Sequence, residues 1–344
     1  MDDFTAAKRL ETMARAYRKS FSLFAAAEIG LFDVLSDKYT LYNDTAEELN
    51  VSAHRLKALL DLLCYYGLLL KESDNYKIHH DYIALADNNR KDNITARLAH
   101  PQRTAKSWHY LVDILKEDKP SSALKQRPKR TDKDIIAFHR SLGSRGEKQI
   151  EHYISQIPLK DSTRLMDVGG GFGDLCLPFL KSKKISHATV LETSDTARLA
   201  TLNMTDDIFA DCFTFYPCNF IYDQLPGGFE LCLVSNILHI YSENTCLKLL
   251  SKLHKSLKDN GQIFIREITI NDDATGPEAG LEFSLHMAIN TESGKAHSEN
   301  TVKRLLQMAG FSDIVSLQSP AETEYAVLAR KKPGQTLPAE SLIV

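Results

Sequence analysis

The sequence offers little that would suit it to a membrane, an oxidising compartment or a polyanion. It has no apolar run of the roughly 18 residues that a membrane span needs, and Met1-Asp2-Asp3 lacks the basic start of a signal peptide. Its cysteines, Cys64, Cys176, Cys212, Cys218, Cys232 and Cys246, form no C-x-x-C pair, and four of them fall inside apolar runs. They read as free thiols in a reducing compartment, so a cytoplasmic protein is expected. No cluster of histidine, cysteine and carboxylate has zinc spacing, so no metal is expected. The formal net charge of -3 argues against affinity won by neutralising many phosphates, which makes nucleic acid a poor default partner.

What is present is a chain of 344 residues, longer than one typical domain, and two cores are expected. In the first hundred residues apolar positions recur at helical spacing, as in Met13, Tyr17, Phe21 and Phe24. Thr45-Ala-Glu-Glu48 has the form of a capping box, and Ser52 is placed to cap the next helix, which carries Leu56, Leu59, Leu60 and Leu63. Gly67 ends that helix, and residues 68–71 and 75–78 pair across Ser73-Asp74. Helix, helix, hairpin is a winged-helix outline. Its second helix offers only Arg55 and Lys57 as cations, so packing or dimerisation is favoured over DNA reading. Two helical stretches follow, around Lys106 to Lys116 and Asp134 to Ile154, joined by the basic run Lys125 to Arg130, read as a solvated loop.

From Thr163 short β-rich runs alternate with helical segments, the signature of a parallel sheet with helices on both faces. Strands are expected at Arg164 to Val168, Ala188 to Leu191, Phe213 to Tyr216, Leu231 to Ser235 and Gln262 to Glu267. Two closing strands, Ile314 to Leu317 and Tyr325 to Ala329, are too close for a helical crossover and predict an antiparallel hairpin at the sheet edge. The fold class is therefore α/β, a doubly wound Rossmann-like sheet with an antiparallel edge hairpin behind a mostly helical N-terminal domain. Boundaries are expected at 1–100, 101–160, 161–332 and a tail at 333–344.

After the first of these strands comes Asp167-Val-Gly169-Gly170-Gly171-Phe-Gly173-Asp174. A dinucleotide loop reads G-x-G-x-x-G, and its last glycine is here Asp174, a carboxylate facing a pyrophosphate, which disfavours a dehydrogenase. An acid followed by G-x-G-x-G suits a ligand with an amino-acid end and a nucleoside. Glu192, some 20 residues on at the end of the second strand, is placed to accept both ribose hydroxyls. In open α/β sheets ligands bind at the carboxyl ends of strands, where His239 and Glu267 also fall. A histidine near its ordinary pKa takes a proton from a hydroxyl while a carboxylate on its other nitrogen fixes the tautomer.

These residues resemble the small-molecule O-methyltransferases of the plant caffeate and bacterial antibiotic-tailoring type. Asp167 to Gly173 is similar to that family's D-V-G-G-G-x-G loop, Leu191-Glu192 to its ribose-binding pair, and Asn219-Phe220 to the pair beside adenine. The run from Ser235 to Leu250 is similar to its catalytic stretch L-H-D-W-S-D-E-x-C-L-x-L-L, and Gly30-Leu-Phe-Asp33 matches a phrase of its dimerisation domain. The resemblance implies S-adenosylmethionine as cofactor, a homodimer, and methyl transfer to a hydroxyl of an aromatic or polyketide-like molecule. It implies His239 as general base and Glu267 as its bracket. Asp167, Gly169, Gly171, Gly173, Glu192, Asn219, Phe220 and Ser235 would hold the cofactor. Phe138, Leu142, Phe283 and Met287 are the expected acceptor-pocket residues. Two positions depart from the pattern: Ile240-Tyr241 stands for D-W, and Ala296 replaces a second bracketing glutamate, so the base is less tightly framed. Some relatives have exchanged methyl transfer for hydroxylation, decarboxylation or rearrangement, and that is the rival reading.

Overall fold

A computed structural model describes residues 3–87, 90, 93–116, 130–160, 163–204 and 207–334. Of the expected basic run only Arg130 falls within them, and the expected tail lies outside them beyond Gly334. The chain divides into two compact units, Met1–Lys106 with Arg140–Leu142, and Ser107–His139 with Gly143–Val344. Among the described residues no helix is long and apolar enough to cross a membrane.

The first unit is mainly helical. Helices Asp3–Ala14 and Tyr17–Glu28 are followed by Leu31–Val34, Tyr42–Glu48 and Ala53–Tyr65. Strands β1 (Thr40–Leu41), β2 (Leu69–Glu72) and β3 (Asn75–Ile78) form a small antiparallel sheet in the order β1-β3-β2. Leu56, Leu60 and Leu63, one stripe of the last helix, are buried with Leu31, Phe32, Leu69 and Tyr76. A polar clasp fixes the hairpin to this helix: Asp61 accepts hydrogen bonds from Tyr76 Oη and Lys71 Nζ, both at 2.6 Å. Two capping expectations fail. The helix with Thr45 begins at Tyr42, so Thr45 lies inside it and its hydroxyl bonds back to the Leu41 carbonyl. Ser52 holds the N-cap position without a side-chain cap bond. The residue pattern of a capping box also arises in a helix interior, where a threonine finds a carbonyl four residues back.

The second unit is built on seven strands: β4 (Thr163–Val168), β5 (Ile185–Glu192), β6 (Phe213–Pro217), β7 (Phe229–Ser235), β8 (Leu257–Ile268), β9 (Phe311–Leu317) and β10 (Glu324–Lys331). Their order is β6-β5-β4-β7-β8-β10-β9. The first five are mutually parallel, and β10 lies antiparallel between β8 and β9, which makes the expected edge hairpin. The chain winds outward from β4 in one direction and then from β7 in the other. The strand order therefore reverses between β4 and β7, the switch point outside which open α/β sheets bind their ligands.

Alternation along each strand divides the sheet's side chains between two cores. On one face Met166, Cys232, Val234, Ile263 and Ile265 pack in a single cluster with Leu249, Leu250 and Leu253 of helix Glu243–Ser256 and Leu305 and Leu306 of helix Glu299–Met308. On the other, Leu165, Leu231, Leu233 and Phe264 cluster with Ile150 and Tyr153 of helix Asp132–Ile154. Helix Glu243–Ser256 starts where Ser242 accepts the Thr245 N–H, and it buries Cys246, Leu249, Leu250 and Leu253 at helical spacing. Each such leucine contributes about 1.5–3 kcal/mol. The expected stretch near Lys106 opens as a 3₁₀ turn, Lys106–Tyr110, before helix Leu111–Lys116.

Candidate active site

The switch point is flanked by the two segments that the sequence marks out. After β4, Gly169, Gly171 and Gly173 take φ of 67°, 61° and 80°. The left-handed region is open to glycine without steric cost. At Gly171 a side chain would also collide with the His139 ring. The loop is anchored by Gly169 N–H on the Leu191 carbonyl at 2.8 Å and leads into a short 3₁₀ turn, Asp174–Cys176.

Glu192, at the end of β5, is buried, and each of its carboxylate oxygens accepts one backbone N–H, from Gly171 at 3.2 Å and from Thr193 at 2.9 Å. Burial pushes its pKa up, while those two N–H groups and the Arg130 charge pull it down. A carboxylate oxygen held by one N–H still has a lone pair for a hydroxyl. Asp167 sits beneath the loop, 1% exposed, with the Cys176 thiol donating to it at 3.2 Å. Burial raises Asp167 to about 7, and the nearby Glu192 and Asp174 charges add to the rise.

The adenine-side candidates fall differently. Phe220 is buried beside Gly169, and its ring meets Tyr241 edge-on at 6.4 Å. Asn219 spends its Oδ1 on the N–H groups of Ile221 and Tyr222, which shapes the turn after β6. Lys252 reaches that turn from helix Glu243–Ser256 and donates to the carbonyls of Phe220, Ile221 and Asp223. Ser235, the last residue of β7, accepts from Arg266 Nε at 3.1 Å.

Beyond Ser235 the backbone turns at Asn236, with φ of 57°, into a 3₁₀ turn that carries His239. Glu267 on the adjacent β8 is 2% exposed and receives three donors. Its Oε1 accepts the N–H groups of Ile237 at 2.9 Å and Leu238 at 2.7 Å, and its Oε2 lies 2.6 Å from His239 Nδ1. An ionised carboxylate only accepts, so Nδ1 carries the proton and Nε2 is left with a lone pair. The Phe283 ring, from helix Glu278–Asn290, stands at 88° to the imidazole with centroids 4.7 Å apart. Gly294 passes against this turn, where a side chain would collide with the His239 carbonyl. Ala296 is buried and brings no carboxylate to His239.

Met287 is buried one turn beyond Phe283 on the same helix. Phe138 lies under the Arg130 guanidinium, 4.8 Å from its ring centre, and against His139, which in turn stacks on Phe172 of the glycine loop at 5.0 Å. Leu142 groups with the N-terminal unit and is exposed. His139 is the loop neighbour that sequence reasoning missed. Burial, and next the Arg130 charge, hold it down at about 4, so it is a neutral ring at ordinary pH.

Glu192 and Asp174 lie near a loop whose glycines let a ligand approach the backbone, and their carboxylates repel a pyrophosphate and suit a nucleoside that has none. Two family models match the sequence, an O-methyltransferase domain over residues 108–312 and an O-methyltransferase dimerisation domain over residues 11–83. The chain belongs to the O-methyltransferase family. Acetylserotonin O-methyltransferase of Homo sapiens is 26% identical over 94% of this chain and 97% of that protein. A 3-hydroxy-5-methyl-1-naphthoate 3-O-methyltransferase of Streptomyces sahachiroi is 23% identical over 94% of both. The solved structure of human N-acetylserotonin methyltransferase in complex with SAM superposes with a TM-score of 0.83 at 24% identity, covering 96% of this chain and 99% of that one. The fold of this O-methyltransferase is thus shared with that structure.

The Asp167 environment makes a pH prediction. The folded protein holds this proton up to about pH 7, whereas an unfolded aspartate releases it near about 3.9. The folded state binds the extra proton between those values, so this group removes stability as pH rises from about 4 to about 7. Asp167→Asn should flatten that fall, read as a gain over the wild type in urea unfolding that is larger near pH 8 than near pH 5. Equal gains at both would contradict it.

Proposed function

We propose that this O-methyltransferase transfers a methyl group from S-adenosylmethionine to a hydroxyl of an aromatic or polyketide-like small molecule, with His239 as general base. The observation that carries the reading is the His239–Glu267 pair, buried at the strand ends beside the glycine loop. When bound, S-adenosylmethionine supplies an electrophilic methyl group. The chain does the rest. Glu192 binds the ribose hydroxyls with the lone pairs that Gly171 and Thr193 leave, and Phe220 packs against the base. Phe283 and Met287, with Phe138, press a flat acceptor toward His239. Nε2 of His239 takes the hydroxyl proton, and Glu267 orients the ring and stabilises the imidazolium that forms. Such a base contributes about 10²- to 10⁴-fold, and alignment of the reacting groups contributes more.

Among the relatives, two named for acetylserotonin and a hydroxynaphthoate act on oxygen and one named for L-tyrosine acts on C(3); all three names specify aromatic acceptors, and the first two support a hydroxyl here. The rival reading, other chemistry on the same scaffold, is disfavoured by the retained His239 and by the family match. His239→Ala should abolish formation of S-adenosylhomocysteine with a panel of hydroxylated aromatics and leave calorimetric cofactor affinity nearly intact, while Glu192→Ala should lose that affinity. Wild-type turnover by the His239 variant would sink the base assignment.

Residues 1–100 are read as a winged-helix-like dimerising module and 101–160 as a helical linker. Phe4, Leu10, Met13, Tyr17 and Phe21 are exposed on the two N-terminal helices, an apolar face suited to a second copy of the chain. The free cysteines suit a cytoplasmic enzyme, and the acceptor class suits secondary metabolism. Sedimentation should give twice the chain mass, and Met13→Asp/Phe21→Asp should halve it. A wild-type monomer would contradict the dimer.

A further inference from the structure

Four neighbouring strands end in polar side chains on one face of the sheet: Glu192 on β5, Asp167 on β4, Ser235 on β7 and Arg266 on β8. The alternation that turns Phe264 into the cluster with Ile150 and Tyr153 turns Arg266 the same way. Arg266 is 5% exposed and is the cation of this row. Its Nε donates to Ser235 Oγ at 3.1 Å, and its Nη1 donates to Gln149 Oε1 at 2.7 Å and lies 3.5 Å from Glu324 Oε2. Nη2 has no hydrogen-bond partner among the described residues. It lies 3.5 Å from where a Cβ on Gly146 would stand, beside Leu175, which follows the glycine loop. A side chain at Gly146 would collide with Leu175, so the helix backbone passes close to the guanidinium.

A buried guanidinium is costly unless its charge is met, and the Glu324 contact is long for an ion pair. We infer that Arg266, through Nη2, binds the carboxylate at the amino-acid end of the cofactor. The inference rests on the S-adenosylmethionine reading above and adds to it a residue that anchors the end of the ligand remote from Glu192. The two neighbours on β8 then divide the work: Glu267 turns to the base on one face, Arg266 to the cofactor on the other.

The test compares two ligands that share the nucleoside and the thioether. S-adenosylhomocysteine carries the amino-acid end, and 5′-methylthioadenosine lacks it. Calorimetric titration of the full chain should show the first bound more tightly. In Arg266→Met/Glu324→Gln, which removes both buried charges together, affinity for S-adenosylhomocysteine should fall on the order of 10- to 100-fold, the worth of a hydrogen bond to a charged group. Affinity for 5′-methylthioadenosine should hold. Arg266→Lys, which keeps the charge and is the milder change for folding, should fall between. A parallel loss for both ligands would mark Arg266 as structural and overturn the inference, as would unchanged affinity for both. If the unmodified protein bound neither, the cofactor reading itself would fail, a separate outcome.

Discussion

The site depends on one buried carboxylate. Glu267 accepts hydrogen bonds from His239 Nδ1 and from the N–H groups of Ile237 and Leu238. Those two N–H groups belong to the turn that follows β7, so the acid bonded to His239 also holds the backbone that carries it. Without Glu267 two buried donors lose their partner, at about 1–3 kcal/mol each, and the imidazole loses its fixed orientation. On the proposed reading, structure and chemistry are coupled through this one side chain, and Ala296 offers no second acid.

Topology brings the parts together. β4 and β7 are adjacent in the sheet yet far apart in sequence, and their following loops carry the glycines and His239. β8, next to β7, presents Arg266 and Glu267 to opposite faces because successive side chains alternate. Helix Asp132–Ile154 covers one of those faces, with His139 over Gly171 and Gln149 on Arg266. The loop thus lies between a strand end and a helix that contributes its own polar groups.

Much of this was legible in the sequence. The strand runs, the glycine loop, Glu192 and the edge hairpin follow from alternation and spacing, which are local signals. Thr45 misled because its pattern does not distinguish a cap from a helix interior. His139, Lys252 and Arg266 were not legible, since each acts on a partner distant in sequence and a single polar residue in a helix or strand reads as solvated. Asn219 sits where the family places an adenine-side residue, but its Oδ1 is bound within its own turn, a detail set by backbone geometry. Leu142 shares a helix with Phe138 yet groups with the other unit, which periodicity alone does not reveal.

The central claim is that Glu267 fixes His239 with its proton on Nδ1 and a lone pair on Nε2. Long-range ¹H–¹⁵N correlation spectra of the protein labelled in histidine, assigned by comparison with a His239 variant, read that tautomer directly. The account predicts the Nδ1–H form for His239 at neutral pH in the unmodified protein. An Nε2–H tautomer there would contradict it.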